Sequence, residues 1–260
     1  MRQETNFWRN HLLLPLLLFT LLAGLLESGS IDLYVADLIY QAGGAGWTLQ
    51  NSPLLSDILH DNAKALVKLL AVILFAVAIA SHLLVRLRPY RRAVWYLALV
   101  MPLSGLLVGI GKEVSHVDCP WDLLRYGGEH PYIRLFEAHP GDFRYGKCFP
   151  AAHAGAGYTF LALYFFLAAL RPQWKRYGLM VGIAMGVVFG VTQQLRGAHF
   201  LSHDLWTAAI CWFNSLGWYW FAFCRKRNPR VVPCVVEAPR HVANDPESSG
   251  SLAAVVTSEK

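Results

Sequence analysis

The fold class this sequence predicts is an all-α bundle that crosses a membrane, and three observations predict it. Of the 260 residues, 55% are hydrophobic and only 15% charged, with a mean hydropathy of +0.36, too apolar a balance for an ordinary soluble domain. About six stretches approach the roughly 20 mostly apolar residues that a membrane-spanning helix needs. They are residues 10–26, 64–85, 93–111, 151–170, 177–195 and 204–224. The basic residues behind the net charge of +6 sit in short clusters beside these stretches and do not cover a polar face. That is the pattern of membrane topology and not of nucleic-acid binding.

Taken in order, the first stretch follows Arg2 and Arg9 as a secretory signal would. Residues 25–30 offer no small-x-small cleavage site, so a retained helix is expected. Residues 31–40 have mixed helical character and the glycine-rich run 41–46 breaks them. With Tyr40 and Trp47 suited to an interfacial position, this part reads as a short external hairpin packed over the bundle. The second stretch ends at Arg86-Leu87-Arg88-Pro89, where proline removes a backbone donor. The third carries Pro102, Gly105, Gly109 and Gly111, and small residues let helices approach closely in lipid.

Residues 112–150 are dense in acids, bases and histidines, with glycine pairs and prolines that exclude one continuous helix; they are expected to form an ordered cap loop. The fourth stretch opens with Phe149-Pro150-Ala151-Ala152-His153. Pro150 suits a first helical turn, which puts His153 near the membrane surface beside free backbone amides that favour an anion such as phosphate. The fifth and sixth stretches are separated by a polar break, residues 193–204, with Ser202 as a cap. Residues 225–260 are rich in proline, serine and charge, and a disordered cytoplasmic tail is expected. The chain thus divides into 1–63, a first helix and hairpin; 64–224, the membrane core; and the tail, 225–260.

Basic residues set the orientation. Arg2 and Arg9, then Arg86, Arg88, Arg91 and Arg92, then Arg171, Lys175 and Arg176, then Arg225, Lys226, Arg227 and Arg230 mark one side. Residues 27–63 carry Glu27, Asp32, Asp37, Asp57 and Asp61 with no lysine or arginine. They fall on the opposite side together with 112–150 and 196–203. Both termini are expected in the cytoplasm and the polar break outside. The five cysteines lack metal-ligand spacing, and no metal or cofactor is expected. Cys119 and Cys148 both lie in the outward cap, where an oxidising compartment permits a disulfide; bridged, they would hold Lys112 near His153.

Three polar clusters then share one face: Lys112 at the end of the third stretch, His153 at the start of the fourth, and Arg196 to Asp204 between the fifth and sixth. Ionisable groups near membrane depth cost free energy unless they pair or act. An imidazole beside a fixed cation and a carboxylate can attack phosphorus while the cation neutralises phosphate oxygens.

These residues resemble the type 2 phosphatidic acid phosphatase superfamily of membrane lipid phosphatases. Its pattern is a lysine, six residues and Arg-Pro; then Pro-Ser-Gly-His; then Ser-Arg, five residues, His, three residues and Asp. Here Lys112 is followed after six residues by Cys119-Pro120, Pro150-Ala151-Ala152-His153 matches in its proline and histidine, and residues 197–202 are similar around His199. The resemblance covers about residues 64–224. Cys119 stands in place of an arginine, Ala151 and Ala152 replace serine and glycine, and Gln193 holds the position of the second arginine, with Arg196 three residues on. His203 occupies the aspartate position and Asp204 comes one residue later, a step of about 100° on a regular helix.

By this resemblance His199 is the nucleophile that forms a phosphohistidine and His153 the acid and then the base. Asp204 orients His199, with His203 as its competitor. Lys112 and Arg196 hold phosphate oxygens, with Arg125, Arg144 and Lys147 in reserve. The implied protein is a multi-pass phosphatase of the bacterial inner membrane, acting at the periplasmic face on a phospholipid, isoprenoid-lipid or lipid A phosphate, without nucleic acid. A lipid phosphotransferase using the same intermediate, and a non-catalytic transporter or scaffold of this fold, are the alternatives.

Overall fold

The computed structural model of the protein describes residues 2–28, 30–50, 52, 63–135, 137 and 146–225. The expected tail from residue 226 onward, the acids Asp57 and Asp61, and the reserve cation Arg144 lie outside the described residues. What is described is helical, with a single isolated bridge between Leu123 and His130 in place of any sheet.

The first helix runs as α1 (Arg2–Trp8), a π-helical turn (Arg9–Leu13) and α2 (Leu14–Ser28). It is followed by α3 (Ile31–Ala42), α4 (Ala63–Leu83) and α5 (Arg91–Ser115). The second half holds α6 (Ala152–Tyr158), α7 (Ala162–Leu170), α8 (Lys175–Leu195) and α9 (Leu201–Tyr219). Among the described residues five helices are long and apolar enough to cross a membrane: Glu4–Ser28, Ala65–Leu83, Val85–Asp122, Ala152–Leu170 and Pro172–Leu195. The sixth expected stretch, 204–224, forms most of α9, which is not among these five. Its buried Ser202, His203, Asp204, Thr207 and Ser215 make it more polar than the others, and those residues face the bundle, not its surroundings.

Helices α5 to α9 form the centre, α4 lies on α5, and α2 lies on α9. Phe7, Tyr96, Val100, Phe165 and Tyr219 make a largely aromatic core at the end of the bundle that holds the N-terminus. There the ring of His11 meets the Tyr164 hydroxyl at 2.8 Å, and Trp212 Nε1 donates to the His11 carbonyl at 2.9 Å. Val108, Ala154, Tyr158, Leu161 and Cys211 continue the core toward the other end. That end is closed by Ala36, Leu123, Tyr126 and Phe200, contributed by α3, the cap and the start of α9.

Glycines at every fourth position of α8 let this bundle close. A side chain at Gly178 or Gly182 would meet the main chain of Leu163 or Leu161, one at Gly186 the ring of Tyr158, and one at Gly190 the carboxylate of Asp204. Across the same seam Gly157 of α6 faces the main chain of Met185. Such spacing puts a smooth groove along one helix face, and close backbone approach is a main source of helix association in lipid.

Overpacking of this seam should be costly. Gly157→Ala is expected to lose about 1–3 kcal/mol, seen as a lower unfolding midpoint in detergent. Gly105→Ala, with nothing within 4 Å, should shift stability by less than about 0.5 kcal/mol. Equal midpoints for the two variants would contradict the close-approach account.

Candidate functional site

The polar break between α8 and α9 owes its shape to the end of α8. The N–H of Gly197 donates to the Gln194 carbonyl and that of Ala198 to the Gln193 carbonyl, each at 2.9 Å. Gly197 itself sits at a φ of 77°. This is a Schellman ending, which wants glycine at the left-handed position. The ring of Trp47 also lies directly over Gly197, so that no Cβ fits there. The chain then turns through His199 and an extended Phe200 into α9, which leaves the His199 ring buried at the mouth of the bundle.

Three structural features surround that ring. His203, one turn along, brings its Nδ1 to 3.4 Å from His199 Nδ1. The main chain of Cys148 hydrogen-bonds both imidazoles; its N–H is already given to the Val117 carbonyl at 2.8 Å, so it is the Cys148 carbonyl that faces the rings. Lys112, near the end of α5, and His153, in the first turn of α6, act on His199 through their charges. Burial, then His203, Lys112 and His153, hold the His199 imidazole well below its ordinary pKa. It is therefore neutral near pH 7, the state in which a ring nitrogen keeps a lone pair. His153 is itself buried and lies against the Phe189 ring at 5.1 Å between centroids.

The cap fixes Cys148. Cys119 and Cys148 are joined as a disulfide with their Cα atoms 5.2 Å apart. Asp118 accepts from the Gly146 N–H at 2.5 Å and meets His130 at 2.9 Å. Ser115 donates to the Phe149 carbonyl, and Lys147 pairs with Glu113. Farther in, the Ala151 N–H donates to Thr207 Oγ1 at 2.9 Å, while Thr207 donates to the His203 carbonyl at 2.7 Å. Thr207 therefore ties the start of α6 to the turn that carries His203. Among the described residues one His/Cys/Asp/Glu group has metal-like spacing, Cys119, Asp122 and Cys148, and two of its thiols are consumed by the disulfide.

The sequence-predicted residues divide into two sets. Lys112 and His153 both lie near enough to His199 to act on it electrostatically. The ring facing His199 Nδ1 is that of His203, while the Asp204 carboxylate receives the Gln194 amide at 2.5 Å, and its Oδ1 has no hydrogen-bond partner among the described residues. Arg196 donates from Nε to the Gln50 carbonyl at 3.0 Å and from Nη1 to Gln193 at 3.4 Å. Arg125 forms a two-point pair with Asp37 at 2.6 and 2.7 Å, and its guanidinium holds the Asp37 carboxyl below the usual carboxylate range. A phosphate reaching Arg125 would have to compete with that carboxylate.

Sequence reasoning treated Asp32 and Asp37 only as markers of topology. Their one signal was position: acids five residues apart in a segment without lysine or arginine, which reads equally well as a solvated face. Asp32 is 5% exposed and accepts the Ser202 N–H at 2.9 Å. Burial pushes its carboxyl up to about 6 against the lowering effect of its bonds to Ser202 and Leu201.

The sequence model of the PAP2 superfamily matches residues 93–227, just over half of the chain. The protein belongs to the PAP2 superfamily. The match takes in Lys112, His153 and His199, and with them α5 to α9, while α1 to α4 precede it. No curated protein and no solved structure was found to be similar to the chain. Members of this superfamily are phosphatases, which fits a buried neutral imidazole flanked by a second histidine and an ammonium group.

The disulfide has a direct chemical test. Alkylation without reductant should leave Cys119 and Cys148 unlabelled and joined in one pair of peptides, with both labelled once reduced. Labelling of either thiol before reduction would contradict the link.

Proposed function

We propose that the protein is an integral membrane lipid phosphatase that hydrolyses a lipid phosphomonoester or diphosphate through a phosphohistidine on His199. The observation that carries this reading is the buried His199 imidazole, with its Nδ1 set 3.4 Å from His203 Nδ1. With the proton on Nδ1, the Nε2 lone pair is the nucleophile. Nε2 bonds to phosphorus as the bond to the leaving oxygen breaks, and His153 gives that oxygen a proton. The ring gains positive charge as it is phosphorylated, and His203 Nδ1 accepts the Nδ1–H at that moment. Water then attacks phosphorus, His153 takes its proton, and the Nε2–phosphorus bond breaks to release phosphate.

Lys112 neutralises the phosphate oxygens in both steps. Arg196 adds a second cation through N–H groups beyond those given to Gln50 and Gln193. In this reading His203 takes over the orienting place of the superfamily's aspartate, and Asp204 acts at one remove by holding Gln194. A site at the mouth of a membrane bundle takes a substrate whose tail stays in the bilayer. The acid-rich, base-poor segment 27–63 favours placing that mouth on the periplasmic side of a bacterial inner membrane, with both termini in the cytoplasm.

A panel of phosphatidic acid, phosphatidylglycerol phosphate, undecaprenyl diphosphate and lipid A, assayed on purified protein with and without chelator, tests the reading. Free phosphate is expected from at least one lipid. His199→Ala should abolish release, and His153→Ala should slow it by about 10²–10⁴-fold. A wild-type rate in His199→Ala refutes the nucleophile. Phosphorylated lipid in place of free phosphate would indicate phosphotransfer, and binding or flux without turnover a transporter.

A further inference from the structure

The segment that precedes the superfamily match is fastened to the catalytic break at three points. Trp47 covers Gly197, the Gln50 carbonyl receives Arg196, and Asp32 receives the Ser202 N–H. The third contact is the informative one. Ser202 is the second residue of α9, and the residue before that helix is Phe200, which offers no side-chain acceptor. An α-helix start leaves N–H groups without partners, and a carboxylate there both accepts a hydrogen bond and complements the helix dipole. Helix α9 thus takes its cap from α3, some 170 residues earlier in the chain.

The capped turn is the one that carries His203. Asp32 also stands where two small clefts meet: one is lined by Ser202, His203 and Phe149, the other by His199, Gln194 and Trp47. A buried carboxylate at that junction controls the first turn of α9 and, through it, the angle at which His203 meets His199.

We infer that Asp32 is a positioning residue of the site: by accepting the Ser202 N–H it fixes the first turn of α9 and so aims His203 Nδ1 at His199. The inference rests on the phosphatase reading for its catalytic consequence and on the structure alone for its mechanical one. Asparagine keeps the acceptor oxygen and alanine removes it, so the two substitutions separate capping from charge. Asp37→Asn, which loosens α3 from Arg125 at the far side of the hairpin without touching α9, controls for general disturbance of the hairpin.

Hydrogen exchange is measured on the full-length protein in detergent for peptides covering 198–206, together with kcat and KM on the panel lipid that wild type turns over fastest. In Asp32→Ala the amides of the first α9 turn should exchange about tenfold faster, while the rest of α9 stays protected. The same variant should lose about tenfold in kcat with KM within about twofold. Asp32→Asn should recover most of both, and Asp37→Asn should resemble wild type. Unchanged exchange in Asp32→Ala overturns the inference, as does a loss in Asp37→Asn equal to that in Asp32→Ala, or no recovery in Asp32→Asn. Failure of the phosphatase reading shows separately, as turnover that survives His199→Ala while the exchange result stands.

Discussion

The contact between the Nδ1 atoms of His199 and His203 is the interaction on which the rest of the site depends. Two buried imidazoles meeting at 3.4 Å repel each other if both are charged and gain from each other only if one donates and the other accepts. The fold supplies the conditions for the second case. It buries both rings, sets a carbonyl beside them, and fixes each ring on its own stretch of backbone. Helix α9 presents His203 one turn after His199, the Schellman ending of α8 sets where His199 begins, and the disulfide-tied cap brings in Cys148.

Several charged groups near the mouth also have partners within the protein. Arg125 holds Asp37, Arg196 holds the Gln50 carbonyl, Asp204 holds Gln194, and Asp32 holds the start of α9. Burying an ionised group is costly unless it is paired and hydrogen-bonded. A membrane bundle that gathers so many polar side chains at one end therefore fastens these four to defined partners. The consequence is a tied rim beside His199, with α3 joined to the cap through Arg125 and to the break between α8 and α9 through Ser202. The groove of glycines on α8 serves the same end from below, since it lets Tyr158, on the helix that carries His153, and Asp204 press against α8 at Gly186 and Gly190.

Much of this was legible in the sequence because it depends on local composition. Long apolar runs gave the helices, and the basic clusters between them brought Lys112, His153 and the polar break to one face. Cys119 and Cys148 could be matched because both fell in the same cap loop. What sequence could not supply was side-chain direction between distant segments. Asp204 and His203 are neighbours in the chain, and only the bundle decides that one turns to Gln194 and the other to His199. Arg125 reads as a free cation until Asp37 is seen beside it from a helix 88 residues away. The spacing of Gly178, Gly182, Gly186 and Gly190 was visible and went unused, because small residues gain meaning only once the neighbouring helix is known. Helix α9 shows the reverse case: its polar first turn lowers its hydropathy, yet those residues are the ones the interior of the bundle needs.

The central claim is that His199 carries the phosphoryl group. The most direct measurement is rapid acid-free quenching of the purified protein with lipid substrate labelled at phosphorus, followed by peptide mapping under alkaline conditions that preserve phosphohistidine. The account predicts label on the peptide containing His199, lost on acid treatment and absent from His199→Ala. Label on His153 or His203, or turnover with no labelled peptide at any quench time, would contradict it.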